Sequence, residues 1–168
     1  MKRIISLFVL SLFLIALFPL NTFAVEEKIV SYFDDGSYIV ERIYTASSRA
    51  SGTKTGLKEH TYYDGNGNAD WTATLSGTFT YTGNSSTCTA ASCNVTIYDS
   101  AWYVVSKSAS KSGNTANASV TMGEKLLGVT VTKVPTSLSL KCDANGNLSW
   151  INDKNPGCFR IRGKLHTD

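Results

Sequence analysis

Apolar and polar residues alternate one for one from Trp71 to Thr82. Trp71, Ala73, Leu75, Gly77, Phe79 and Tyr81 take one parity; Thr72, Thr74, Ser76, Thr78, Thr80 and Thr82 take the other. Side chains of an extended chain point alternately to opposite faces, so this run predicts a half-buried antiparallel strand with a hydroxyl-covered outer face. Shorter apolar and β-branched runs predict further strands. Ile29 to Phe33 and Tyr38 to Tyr44 are parted by Asp34-Asp35-Gly36-Ser37, a turn. Later runs are Cys93–Tyr98, Ala101–Ser106, Ala118–Met122, Leu126–Val134 and Thr136–Cys142. Gly/Asn-rich punctuation at 64–68, 83–86, 111–114 and 143–147 supplies the positive φ angles of tight hairpins. Residues 46–56 (ASSRASGTKTG) carry no periodicity and predict a flexible loop. No stretch has a helical stripe. The expected fold is an all-β antiparallel sandwich, immunoglobulin-like or similar.

The first 24 residues stand apart. Lys2-Arg3 is followed by an apolar run from Ile4 to Leu20, then by Thr22 and Ala24 at the −3 and −1 positions of a cleavage site. This order predicts a secretory signal peptide over 1–24, cleaved after Ala24, and one soluble domain over 25–168 without a stable membrane anchor. Removing Lys2 and Arg3 leaves 16 − 2 = 14 basic against 13 acidic side chains, so the basic balance belongs largely to the leader. A net charge near +1 gives no footprint for nucleic acid. The expected location is extracellular.

In an exported chain the four cysteines Cys88, Cys93, Cys142 and Cys158 predict two disulfides. Three connectivities are open. The spacings C-x4-C and C-x15-C do not match zinc sites, and no C-x-x-C redox motif occurs.

No catalytic motif such as G-x-S-x-G or H-E-x-x-H is present, and a triad would have to run through His60 because His166 lies at the C-terminus. Carboxylates for a glycosidase pair exist at Asp34, Asp35, Glu41, Glu59, Asp64 and Asp70, as in most soluble domains. Asp64-x-Asn66-x-Asn68-x-Asp70 places oxygen atoms at alternate positions as calcium loops do. It has no Gly at the sixth position and no Glu at the twelfth, and a hairpin turn accounts for it. No metal or other cofactor is therefore expected, with calcium as the alternative. The binding candidates are aromatics beside hairpins, Tyr62, Tyr63 and Trp150, because rings near loop tips stack sugar faces.

Four segments, Phe33–Ile39 (FDDGSYI), Thr78–Thr89 (TFTYTGNSSTCT), Ser106–Ala116 (SKSASKSGNTA) and Leu140–Leu148 (LKCDANGNL), resemble a group of small, signal-peptide-bearing, uncharacterised proteins of Gram-positive bacteria. The likeness spans most of Phe33 to Ser149. It implies export and a Cys88–Cys142 bridge, with Cys93–Cys158 as an addition; it implies no activity. The expected function is a secreted, non-enzymatic binding module for glycan or cell envelope. A released antimicrobial or toxin-like effector is the alternative, and a small extracellular hydrolase the third reading.

Overall fold

A computed structural model describes residues 24–45 and 52–150 of the chain. The described residues form nine strands: β1 (Ala24–Tyr32), β2 (Tyr38–Thr45), β3 (Gly52–Tyr63), β4 (Ala69–Tyr81), β5 (Ser86–Ile97), β6 (Trp102–Ser112), β7 (Thr115–Leu126), β8 (Val129–Cys142) and β9 (Leu148–Trp150). They build two antiparallel sheets, one of β1 to β5 and one of β6 to β9. In both, every hydrogen-bonded neighbour is also the neighbour in sequence. This double meander corrects the expectation of an immunoglobulin-like order, which needs strands that return past their neighbours. The turns are short, so each strand pairs with the one just made.

The alternating run became β4, and its parity holds. Trp71, Ala73, Leu75, Phe79 and Tyr81 are buried, while Thr80 is exposed and Thr74, Ser76 and Thr78 are half-buried on the outer face. The opposing sheet contributes Ala116, Ala118, Val120 and Met122 from β7 and Val134, Leu138 and Leu140 from β8. Packing between the sheets sets β3 on β8, β4 on β7 and β8, and β5 on β7.

Two further expectations are corrected. Residues 52–56 of the supposed flexible loop are the start of β3, paired Gly52↔Tyr81 to Gly56↔Gly77; residues 46–51 lie outside the described residues. The runs 126–134 and 136–142 are mostly one strand, β8, which passes straight through Pro135. Among the described residues β9 reaches only Leu140–Cys142 of β8, so Pro135 lies on an edge stretch where a missing N–H is tolerated. Residues 1–23 of the signal peptide expected over 1–24, and Cys158, lie outside the described residues.

Cys88, Cys93 and Cys142 are free thiols, so the bridges expected from sequence are not formed among the described cysteines. Cys88 and Cys142 nevertheless meet at one turn: the Cys88 N–H donates to Gly113 O (2.8 Å) and the Cys142 N–H to Asn114 O (3.1 Å). Each thiol instead points to a carbonyl one or two residues on, Cys88 Sγ to Ala90 O (3.3 Å) and Cys142 Sγ to Asp143 O (3.5 Å). Burial pushes both thiols up from their ordinary pKa.

The β7–β8 hairpin departs from the turn chemistry used elsewhere in the chain. Its tip, Leu127-Gly128, has both residues at positive φ (51° and 83°), and Leu127 is 97% exposed. A leucine there carries left-handed backbone strain that asparagine largely escapes. Leu127→Asn is expected to raise stability by about 0.5–1 kcal/mol in urea unfolding. A loss would show that the tip packs against something the exposure does not reveal.

Candidate aromatic cleft

The β1–β2, β3–β4, β5–β6 and β7–β8 connections gather at one end of the sandwich. There a cleft of about 280 Å³ opens between the sheets. The five-stranded sheet supplies Tyr32, Phe33, Asp34, Asp35 and Tyr62, and β8 of the other sheet supplies Thr132 and Val134.

Its rim is fixed by the sequence of the β1–β2 turn. The Phe33 N–H donates to Ser37 O (2.9 Å) and the Gly36 N–H to Phe33 O (3.0 Å), closing the turn with Gly36 at φ +84°. Asp35 Oδ1 accepts both the Ser37 N–H (3.0 Å) and the Ser37 hydroxyl (2.6 Å). Ser37 in turn accepts the Tyr62 hydroxyl at 2.7 Å. Gly65 of the next hairpin packs so close that a Cβ on it would lie 2.9 Å from Asp35 O, so the two turns brace each other.

Behind the rim lies a stack of rings. Tyr62 is parallel to Trp71 (centroids 5.4 Å, 9°) and tilted against Trp102 (5.0 Å) and Phe33 (5.6 Å). The Trp102 Nε1–H donates to Asp70 Oδ2 at 3.1 Å. Burial, together with the charges of Asp35, Asp70 and Glu124, pushes the Tyr62 hydroxyl up to about 12 against the opposing Ser37 bond. Burial first, then Asp99, raises the Asp70 carboxyl. Burial is the larger cause of both shifts, and the neighbouring carboxylates add to it.

The sequence-derived candidates do not form one site. Tyr62 lines the cleft. Tyr63, one residue on, stacks on Tyr38 (5.1 Å, 11°) on the outer face, where its hydroxyl accepts from Arg42 Nη2 (3.3 Å). Trp150 belongs to β9, paired with Leu140. The calcium alternative disperses too. Asp64 Oδ1 accepts the Asn66 and Asn68 N–H groups (2.9 and 2.7 Å), and these turn bonds, led by those from Asn68, lower its pKa; Asp70 is turned inward onto Trp102. The sequence reading did not select Tyr32, Phe33 or the Asp34-Asp35 pair as binding residues. The available signal was an aromatic pair running straight into an Asp-Asp-Gly turn.

A second polar cluster lies inside the sandwich. Lys58, fully buried, sits 2.8 Å from Glu41 Oε2 and donates to Ser139 O across the sheets (3.1 Å). The same carboxylate oxygen meets His60 Nε2 at 2.7 Å, while His60 Nδ1 faces Thr136 Oγ1 at 2.6 Å. Lys28 Nζ approaches the other oxygen, Oε1, at 3.3 Å, without hydrogen-bond geometry. Burial alone would raise the Glu41 carboxyl. The hydrogen bonds and charges of His60 and Lys58 outweigh it and hold the pKa at about 2. Every atom of this histidine that does acid–base work is engaged inside the core, away from the cleft.

No family model matches the chain, and no curated protein matches it. Among solved structures, a hypothetical protein from Listeria monocytogenes is similar at 18% identity and a TM-score of 0.38, covering 78% of this chain and 95% of its own. At that level the likeness carries no argument about function.

Proposed function

We propose that this chain is an exported, non-enzymatic binding module that holds a glycan of the cell envelope at the aromatic cleft. The observation that carries the reading is the joining of ring surface to carboxylates on a pre-ordered rim: Tyr32, Phe33 and Tyr62 beside Asp34 and Asp35. Sugars present an apolar face for rings and hydroxyls for carboxylate acceptors, and a rim already locked by its own hydrogen bonds loses little entropy on binding.

The test is retention of the purified protein on isolated cell walls and insoluble polysaccharides. The expected result is retention, with most of it lost in Phe33→Ala, whose ring lines the cleft against Tyr62 at 5.6 Å. No retention on any matrix overturns the envelope reading.

The apolar hairpin tip favours a second reading, a released effector that acts on the membranes of competing cells. Leu126, Leu127 and Val129 are all exposed there. Leakage of dye from lipid vesicles, abolished by Leu127→Asn, would promote it; intact vesicles would remove it.

A further inference from the structure

We infer that the cleft selects an amino sugar whose nitrogen is a free ammonium over its N-acetylated counterpart. The inference rests on the glycan-binding reading of the same cleft and specifies its ligand.

Charge is the first ground. The chain carries a formal net charge of +3, yet among the described residues this end of the sandwich gathers acids. Asp34 and Asp35 stand on the β1–β2 turn, Asp64 on the next hairpin, Asp70 on β4, Asp99 at the corner before β6 and Glu124 on β7. Among the described residues, the nearby cations are Lys125, whose Nζ lies 4.6 Å over the Tyr103 ring, and the exposed Lys133 on β8. A cleft walled by low-dielectric rings and lined by carboxylates concentrates a cation from solution.

The second ground is the pairing of that charge with aromatic faces. Rings attract an ammonium through their negative π-face and attract a sugar through its apolar C–H face. Tyr32 lies at the rim with its ring against Tyr38 (6.1 Å), while the half-buried Phe33 and the buried Tyr62 supply the ring surface of the wall. Asp34 is exposed at the lining, within the same cleft. A hexosamine ring with a free amine uses both features at once. N-acetylation removes the charge, and with it the ion pair to the carboxylates and the attraction of the ammonium to the rings.

Size is the third. At about 280 Å³ the cleft lies just below the range of sites that enclose a drug-sized molecule, about 300 Å³ upward, and suits one sugar ring with its neighbours outside.

The experiment is calorimetric titration of the full-length mature protein with short glucosamine oligomers and with N-acetylglucosamine oligomers of the same length, in low salt at pH 6.5. The expected result is that the glucosamine oligomers bind about tenfold more tightly, the preference shrinking as salt is added. Asp34→Asn should abolish the preference. Asp99→Asn, which lies at the same end but not on the cleft, should keep it; an equal loss in both variants would point to diffuse charge and overturn the proposal. Equal affinity for the two oligomers overturns the ammonium preference and leaves glycan binding standing. Binding of neither oligomer, by a protein that walls still retain, also overturns it. Failure on walls and oligomers alike brings down the glycan reading itself.

Discussion

Replacing Glu41 by glutamine is expected to lower the unfolding free energy by about 3–5 kcal/mol, because it leaves the Lys58 ammonium buried without its counter-ion. Glutamine keeps the size and can still accept from His60, so the loss isolates the charge. The double variant Glu41→Gln with Lys58→Met removes both charges and should recover much of the loss, since apolar replacements of buried ion pairs are often tolerated. Acid titration gives an independent reading. The Glu41 pKa is depressed in the folded state to about 2 from 4.5. Its contribution is therefore complete above pH 4.5 and is lost as the pH falls toward 2. A shift of that size corresponds to about 3 kcal/mol, which the wild type should lose over this interval and Glu41→Gln should not. Urea unfolding at stepped pH measures both effects. Unfolding midpoints that coincide at pH 7 would mean that the carboxylate does not compensate Lys58.

Trp71→Ala should cost a similar amount, about 3–5 kcal/mol, for a different reason. Trp71 is fully buried at the start of β4, stacked on Tyr62 and tilted against Trp102 at 6.1 Å. Truncation removes the largest fully buried side chain among the described residues and leaves a void between two sheets whose backbones are held by their own ladders. Tyr62 loses its parallel neighbour, so the wall of the cleft should loosen and glycan retention fall with stability. Trp71→Phe is the informative contrast. It keeps ring surface and deletes an indole N–H that has no acceptor among the described residues. Its cost should therefore be well below that of alanine. Thermal unfolding followed by near-ultraviolet circular dichroism reports on both the stability and the ring packing. Equal losses for the two variants would place the stabilisation in the indole rather than in filled volume.

The strands were legible where one face was apolar and the other not. The β4 alternation announced both its conformation and its buried side, and the Gly/Asn runs marked four of the hairpins because positive φ angles demand those residues. The partner strand was harder to read. Inward-facing positions of β3 are Lys54, Gly56, Lys58, His60 and Tyr62, so a period-2 search for hydrocarbon finds nothing. These cations are buried because Glu41 on β2 and carbonyls such as Ser139 O on β8 and Gly146 O wait for them, and none of those partners is local in sequence. The cleft failed to show for the same reason. Phe33-Asp34-Asp35 is visible as a turn, but Thr132 and Val134 complete the opposite wall only when the second sheet folds over the first. Choosing Tyr62 and Tyr63 together overlooked what alternation requires, that adjacent strand residues face apart.

The sequential strand order bears on how the molecule is made. A chain synthesised from its N-terminus can add each strand of the first sheet to one already present, never waiting for a later segment. Such a half-built protein displays its inner face to water until β6 to β9 arrive. On that face Glu41, Lys54, Lys58 and His60 interrupt what would otherwise be continuous hydrocarbon. The charges that burden the finished core thus keep the nascent sheet wettable, and discourage two unfinished chains from sticking to one another during the interval when neither has its lid.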